Sequence, residues 1–478
     1  MTNAQTTAIH QTAHTESETR ENPVYDYCII GAGVAGAALA AFLADRGKYI
    51  AVIEKDFSEQ NRIVGELLQP GGVEKLKALG LYDCLDGIDS APVTGYAIFK
   101  EGKEIKIPYT EARLEGRGFH NGRFVQKLRN KITGRDNVTL LEGNAVELLK
   151  NAGGKITGVR YIKRHTDEES EVKAALTIAS DGFFSQFRKE LSNNKASVSG
   201  FFLGLILKHA QLPHPGHGHV FITDTSPFLI YPISSFESRM LIDFPGSMPP
   251  KKGPMLKEEL RARILPFLKP SLHEAFLKAL EEGDFKTMPN HYMPGMPVMR
   301  EGAMLIGDAL NMRHPLTGGG MTASFSDVLS LGNLLAEASD SADSKGMMLR
   351  VNRFYFEKRN QNSTINILAD ALYRVFRHKP LADACFDYLA QGGAFAQEPV
   401  SILSGISRDK NLLVKHFFAV ARFGAWNLVK KGHGPGEAYS MIRHAFRIVY
   451  PLLKNERPNR LQRLALEIGN LLFPEFRT

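Results

Sequence analysis

An α/β fold, interleaved with an antiparallel sheet and ending in an all-helical region, is what three features of this 478-residue chain predict. Two short apolar runs, residues 27–30 and 49–53, flank a glycine cluster and an Ala/Leu-rich stretch, which is the layout of a βαβ unit. From about residue 201 to 244, several apolar runs are separated by Pro- and Gly-containing loops, as in an antiparallel sheet. Beyond Gly346 the apolar residues recur at helical spacing almost throughout.

The elements follow in order. Residues 27–30 (Tyr-Cys-Ile-Ile) are too few for a helix and are bounded by glycine, so they read as a buried parallel strand. A helix runs from the glycines to about Asp45, and the second strand ends at Glu54. Val73, Leu76 and Leu79 are spaced for a helix that stops near Gly80. Residues 96–99, 105–107 and 158–161 alternate as strands, and 124–132 form a short basic helix. Residues 176–179 make another buried strand that runs into Ser180-Asp181-Gly182. Residues 303–306 return to strand character, and a second glycine cluster then opens a helix through Leu335.

Composition narrows the function classes. With 43% hydrophobic and 23% charged residues the chain is globular, and its length calls for about two or three domains. Lys and Arg number 59 against 51 Asp and Glu, and the excess lies wholly after residue 400, where 13 basic residues meet 5 acidic ones. A charge-balanced body with a basic end is not a nucleic-acid-binding core. Cys28, Cys84 and Cys385 are scattered without CxxC spacing, which argues against a disulfide framework or zinc site and for a reducing compartment. Residues 1–23 are polar, lack the apolar core of a signal peptide and read as a disordered leader; no run reaches the ~18 apolar residues of a spanning helix.

Gly31-Ala32-Gly33-Val34-Ala35-Gly36 is a G-x-G-x-x-G motif between strand and helix. Gly31 permits the tight turn, Gly33 lets a pyrophosphate approach the backbone, and Gly36 lets helix pack on strand. The helix N-terminus then directs its positive dipole at the phosphates. Glu54 closes the second strand 23 residues after Gly31, where a carboxylate accepts from ribose hydroxyls. This motif does not separate FAD from a nicotinamide dinucleotide. The second cluster does: Asp308 leaves a strand, placed for a ribityl or ribose hydroxyl, and Gly318-Gly319-Gly320-Met321 opens the next helix. Amides at that helix start can face the electron-rich end of an isoalloxazine ring and stabilise its reduced anion. One fingerprint occupied by FAD leaves no separate NADPH fold. Asp181-Gly182 alone is an ordinary turn signal, and it gains weight only from lying between the two clusters.

These motifs, in this order, resemble the single-component flavoprotein monooxygenases and more closely the squalene epoxidase family. The resemblance is carried by the segment Arg62 to Gly72 (RIVGELLQPGG) and by Asp308-Ala309-Leu310-Asn311-Met312-Arg313-His314-Pro315-Leu316-Thr317-Gly318-Gly319-Gly320-Met321-Thr322. Gly95-Tyr96, Gly122-Arg123-Phe124, Ser234-Ser235, Ala384-Cys385-Phe386 and His416-Phe417-Phe418-Ala419-Val420 add to it, so it covers about residues 25–420. It implies an FAD-binding Rossmann-like (glutathione-reductase-type) domain, an interleaved antiparallel-sheet substrate domain and a helical C-terminal membrane-associated region. The expected division is a leader at 1–23, an FAD domain at 24–95, 120–195 and 287–345, a substrate domain at 96–119 and 196–286, and the helical region at 346–478. Val34 and Ala35 would line the phosphate turn, Glu54 with Lys55 would meet the adenosine ribose, and Ala145 would offer backbone to the adenine. Arg62 and Arg129 would reach the phosphates or the flavin edge, and Asp308 and Met321 the ribityl chain and ring. Tyr96 matches a tyrosine that the family needs for activity; by itself a tyrosine in a strand is usually core packing. Lys55 replaces the family's common arginine, and Asn144-Ala145 a pair of valines.

The implied reaction is epoxidation of squalene to (3S)-2,3-oxidosqualene with O2, through a flavin C4a-hydroperoxide, in sterol or triterpenoid synthesis. Electrons would come from NADPH through a partner, NADPH-cytochrome P450 reductase. The cofactor carries such chemistry, which fits the lack of a convincing Ser–His–Asp or metal constellation. His214, His217 and His219 stand among Gly and Pro and read as a flexible loop rather than a metal site. Apolar residues 201–207 and 228–232 could wall a hydrocarbon pocket, or simply form a sheet core. Leu461, Leu464, Ile468, Leu471 and Leu472 share one helical face, opposed to Arg460, Arg463 and Glu467. With the cluster Phe417-Phe418-Ala419-Val420, Phe423 and Trp426 and the local positive charge, they suggest helices lying in a membrane interface. The expected location is monotopic, on the cytoplasmic face of the endoplasmic reticulum; a bacterial plasma membrane is the other option. A flavin monooxygenase of another polyprenoid or terpenoid, and a non-catalytic membrane flavoprotein, are the competing functions.

Overall fold

The computed structural model describes residues 24–109, 111, 113–250, 253–338, 341 and 343–455, apart from the side chains of 359–361 and 455. The leader at 1–23 and the amphipathic stripe from Leu461 to Leu472 lie outside the described residues.

The first sheet holds five parallel segments side by side. Their order is the first half of Val138–Lys150, then Ile50–Glu54, Val24–Ile30, the second half of Glu169–Ala179, and Ala303–Leu305. Strand Ile156–Lys163 pairs antiparallel with the remaining halves of the two long strands. Cys28, Ile29, Ala51 and Val52 are completely buried, as strands covered on both faces require. Helix Val34–Ala44 covers one face and is buried from Ala35 to Ala44, which its Ala-rich sequence allows because small side chains let it approach both the sheet and helix Gly320–Ala336. The contact with the second helix is tight: a Cβ on Gly332 would lie 2.6 Å from Phe42 Cδ1.

The second sheet has seven strands in the order Lys286–Tyr292, Ser197–Lys208, Glu237–Pro245, Phe228–Pro232, Gly218–Phe221, Gly95–Lys100 and Lys103–Pro108. All neighbours are antiparallel except Gly218–Phe221 with Gly95–Lys100. Alternation sorts its side chains. Leu203, Leu205, Phe228, Ile230, Met240 and Ile242 pack towards helices Pro254–Ile264 and His273–Glu282. Tyr96, Ile98, Leu229, Tyr231 and Leu241 face the helical region instead. That region comprises Ser344–Phe376, Lys379–Leu389, Ala394–Leu403, Lys410–Lys430 and Pro435–Asn455.

Two expectations change. The boundary at 286/287 falls inside strand Lys286–Tyr292, which pairs with Ser197–Lys208 and so belongs to the substrate sheet. His219 is not in a flexible loop: it lies on strand Gly218–Phe221, buried, with its ring stacked on Phe99 at 5.7 Å. The helix expected to stop near Gly80 does so: Pro70–Ala78 ends just before Gly80 (φ +72°), and a 3-10 turn follows at Tyr82–Leu85. Among the described residues, no helix is long and apolar enough to cross a membrane, and no group of three or more His, Cys, Asp or Glu is placed to hold a metal.

Candidate functional site

The first glycine turn is assembled by three chain segments. Gly31 has φ +95°, and a Cβ there would lie 2.8 Å from the Ser180 carbonyl oxygen. Ser180 Oγ donates to the Ile30 and Gly31 carbonyls, both at 2.9 Å, which ties strand Glu169–Ala179 under the turn. On Gly36 a Cβ would come within 1.9 Å of the Gly31 oxygen, so helix and turn touch backbone to backbone. Gly33 is different. It caps helix Val34–Ala44 with no side-chain acceptor, and nothing lies within 4 Å of its missing Cβ. Unpaired amides at a helix start, facing open space, form a cradle for an anion.

Glu54 Oε2 accepts the Ala32 N–H at 2.7 Å, and Oε1 accepts the Asp56 N–H at 3.1 Å. Arg129 sits beneath the turn: Nε donates to the Ala32 carbonyl (2.9 Å), Nη1 to that of Ser58 (3.2 Å), and Nη2 lies 3.6 Å from Glu54 Oε2. The structure thus brings Arg129 to the site as a clamp on the glycine turn. Lys55 and Arg62 are exposed at the rim, and Ala145 is buried with its carbonyl accepting from Gln186 Nε2.

Asp181 lies across from this turn. Its Oδ2 accepts the Gln186 N–H at 3.3 Å, while Oδ1 is buried without a partner. Burial raises its carboxyl above the usual range. Arg188, for which the sequence carries no local signal, joins two motifs: its guanidinium donates to the carbonyls of Gly182, Phe183, Asp308 and Ala309 at 2.9–3.2 Å. Asp308 itself is exposed on the turn Gly307–Ala309.

The second glycine run heads helix Gly320–Ala336. Gly318 takes φ +61°, and the space beside Gly320 is empty to 4 Å. Gly319 faces away: its Cβ would meet Ile365 Cδ1 at 2.5 Å, so its part is close packing against helix Ser344–Phe376. Met321 is buried on the cavity wall. Arg313 laces the run together, donating to Asn366 Oδ1 (2.8 Å), Asn311 Oδ1 (2.7 Å) and the Gly320 carbonyl (3.2 Å). His314 Nδ1 accepts the Leu316 N–H at 3.2 Å and its ring stacks on Tyr373 at 3.7 Å; burial pushes it down to about 3, so it is neutral. The segment Asn311-Met312-Arg313-His314 is therefore the scaffold of the glycine run.

Tyr96 connects that run to the substrate sheet through Gln69, which sequence reasoning quoted but gave no role. Gln69 Nε2 donates to Tyr96 Oη at 2.5 Å and to the Thr317 carbonyl at 2.8 Å, and its Oε1 accepts from Tyr109 Oη at 3.2 Å. All three side chains are buried, and burial pushes the Tyr96 hydroxyl up to about 12. Nearby, Arg239 and Glu66 form a two-pronged ion pair at 2.6 and 3.0 Å with both residues almost wholly buried.

One continuous cavity of about 1240 Å³ joins these parts. Its polar half runs along Gly31, Gly33, Glu54, Ala145, Asp181, Asp308 and Gly320. Its apolar half passes Tyr96, Leu229 and Leu241 to Leu372, Phe376, Leu413 and Val420 on the helices. Of the two apolar runs, 201–207 packs within the sheet and does not line the cavity, whereas Leu229, Ile230 and Tyr231 of 228–232 do, and helices Ser344–Phe376 through Lys410–Lys430 supply the rest of the wall. Phe417 and Val420, read as membrane-facing, line this cavity, whereas Trp426 is 59% exposed.

These residues fit a flavin dinucleotide. Two helix starts with empty glycine cradles, and a buried carboxylate oxygen lacking a partner, open on one cavity. That spacing suits a ligand with an anionic centre and hydroxyl-bearing arms.

A model of the squalene epoxidase family matches residues 173–436, and one of the NAD(P)-binding Rossmann-like domain matches residues 29–57. Squalene epoxidase 2, mitochondrial, of Arabidopsis thaliana is 44% identical over 92% of this chain and 77% of its own. Squalene epoxidase erg1 of Schizosaccharomyces pombe is 38% identical over 85% and 92%, and squalene monooxygenase of Mus musculus 37% over 90% and 77%. Among solved structures, PqsL, a probable FAD-dependent monooxygenase from Pseudomonas aeruginosa, superposes with TM-score 0.62 at 20% identity, covering 75% of this chain and 98% of that one. HpxO of Klebsiella pneumoniae, solved with FAD and uric acid, gives 0.64 at 18% identity, covering 79% and 97%. At those identities the two structures speak for the fold.

Proposed function

The chain belongs to the squalene epoxidase family, and from that premise we propose which of its residues perform the FAD-dependent epoxidation of squalene by O2. The carrying observation is the single cavity that joins the two glycine-headed helix starts to an apolar channel. Gly31, Gly33, Val34 and Ala35 hold the pyrophosphate, Gly36 sets the packing of the helix on that turn, and Glu54 with Lys55 meets the adenosine ribose. Ala145 meets the adenine, and Arg62 adds charge at the rim. Arg129 fixes the turn. Asp308, Gly318, Gly320 and Met321 border the ribityl chain and ring, with Gly319 setting the packing of that helix. When bound, the flavin supplies the redox chemistry that activates O2 for transfer of one oxygen atom to an alkene.

The chain's own residues have two tasks in that reaction. Leu229, Leu241, Leu372, Phe376 and Leu413 keep water away and hold a flexible hydrocarbon extended, so that one double bond meets the ring. Tyr96, locked by Gln69 to the Thr317 carbonyl, fixes the junction of channel and glycine run. Tyr96→Phe removes one hydrogen bond worth about 1–2 kcal/mol at that junction. Turnover is expected to fall about tenfold with FAD content unchanged, measured as oxidosqualene formed per bound flavin.

The product is (3S)-2,3-oxidosqualene, in sterol synthesis. The electron donor is NADPH-cytochrome P450 reductase, and attachment is monotopic on the cytoplasmic face of the endoplasmic reticulum. Exposed Trp426, Val429 and Tyr439 beside Lys430, Lys431 and Arg443 support an interfacial contact. The test of the function is turnover of squalene with NADPH, reductase and isotopically heavy O2. One heavy oxygen per oxidosqualene is expected; oxidation of a different polyprenoid in place of squalene would reject the substrate.

A further inference from the structure

Helix Ala394–Leu403 walls part of the apolar half of the cavity with Pro399, Val400, Ile402 and Leu403, and its two ends are held differently. At the C-terminal end the Gly71 N–H donates to the Ser404 carbonyl at 2.8 Å, and a Cβ on Gly71 would lie 2.2 Å from the Gly405 oxygen. Backbone rests on backbone there, so this end is fixed on helix Pro70–Ala78. The N-terminal end is loose. It begins at Gly392 and Gly393, with φ +70° and +52°, and nothing lies within 4 Å of either missing Cβ. No side chain caps the helix, and Pro399 has no N–H to donate to the Phe395 carbonyl. Ten residues with these defects do not keep a helix in place by themselves.

A side-chain latch holds the N-terminal half down. Glu398 Oε2 accepts from His416 Nε2 at 2.6 Å and from Lys415 Nζ at 3.0 Å, and His416 Nδ1 meets Tyr388 Oη at 2.9 Å. Phe395 sets its ring edge-on to Tyr388 at 5.2 Å. Tyr388 and His416 line the cavity, so the latch closes on the channel itself, whereas the Glu398 and Lys415 side chains are 35% and 63% exposed. An ion pair so open to water is weak enough to break and re-form. We infer that helix Ala394–Leu403 is a lid on the apolar half of the cavity, hinged at Gly392-Gly393, pinned at Ser404-Gly405 and latched by Glu398, and that its lifting admits the hydrocarbon. This rests on the functional reading above and adds the route by which that substrate enters. Lifting draws Pro399 and Val400 out of the wall that they share with Leu389, Leu413 and Phe417, which leaves an apolar gap.

The test uses full-length, FAD-loaded enzyme and follows the uptake of radiolabelled squalene by the oxidised protein. Glu398→Cys/Lys415→Cys is joined by a short bis-methanethiosulfonate link that dithiothreitol cleaves; the native Cys28, Cys84 and Cys385 are buried. Uptake is expected to slow at least about tenfold in the linked protein and to recover on cleavage, with FAD content unchanged throughout. Glu398→Gln, with the latch loosened, is expected to exchange amide hydrogens over residues 391–400 about three- to fivefold faster than wild type, with helix Lys410–Lys430 unchanged. Uptake by the linked protein as fast as by wild type would overturn the proposal. So would slowing that cleavage does not reverse, or that comes with loss of FAD, because the link would then be disturbing the fold. Equal exchange over residues 391–400 in Glu398→Gln and wild type would also overturn it. Because exchange is read without squalene, it decides the lid even if the wild-type enzyme takes up no squalene, which would reject the substrate reading alone.

Discussion

Gly33→Val is expected to abolish useful FAD binding while leaving the apoprotein folded. The backbone at Gly33 (φ −78°, ψ −162°) is extended, a conformation open to any residue, and its missing Cβ meets nothing within 4 Å. The valine therefore fits the empty protein, at the modest cost of a poorer helix cap, about 1 kcal/mol or less. It fills the volume in which the pyrophosphate would approach the helix amides. A loss of on the order of 100-fold in FAD affinity, roughly 3 kcal/mol, is expected from flavin fluorescence titration, with the apo melting temperature little changed. Gly36→Val makes the contrast. Its Cβ would sit 1.9 Å from the Gly31 carbonyl oxygen, so that variant is expected to fail in folding rather than in binding alone.

The largest stability effect is expected at the Glu66–Arg239 pair. Both residues are buried, and the pair ties the segment leading to Gln69 to the interior strand Glu237–Pro245 of the second sheet. Arg239→Met leaves the Glu66 carboxylate without its partner in a low-dielectric setting, which costs about 3–5 kcal/mol. Urea unfolding is expected to show that loss. The double variant Glu66→Leu/Arg239→Met removes both charges and is expected to recover most of it, because the desolvation of the ions disappears along with their attraction. A double variant no more stable than Arg239→Met would instead mean that shape, not charge, holds this junction.

Much of the site was legible because its signals are local. The first βαβ unit, its glycine turn and Glu54 lie within one short stretch, and their spacing alone places a helix N-terminus beside a carboxylate. The run Gly318–Gly320 was equally visible, though Gly319 turned out to pack on Ile365, since adjacent glycines give no hint of which faces the cavity. Links between distant segments were not legible. Gln69 meets Tyr96 and Thr317 across 27 and 248 residues, and Arg188 meets Ala309 across 121, distances over which no periodicity speaks. The hydrocarbon wall stayed open between pocket and sheet core for a physical reason: a strand buried on both faces, such as Ser197–Lys208 or Phe228–Pro232, does not announce which side holds a cavity. Phe417 and Val420 show the helical version, because an amphipathic stripe states that something apolar covers it, not whether that is lipid or the protein's own channel.

The account's central claim is that flavin and hydrocarbon meet in one continuous cavity. It is tested most directly by a single turnover: FAD-loaded enzyme is reduced anaerobically with dithionite, loaded with squalene and mixed with O2, and the products are counted against flavin. Close to one oxidosqualene per flavin, with little hydrogen peroxide, is the predicted result. Full reoxidation to hydrogen peroxide without oxidosqualene would contradict it.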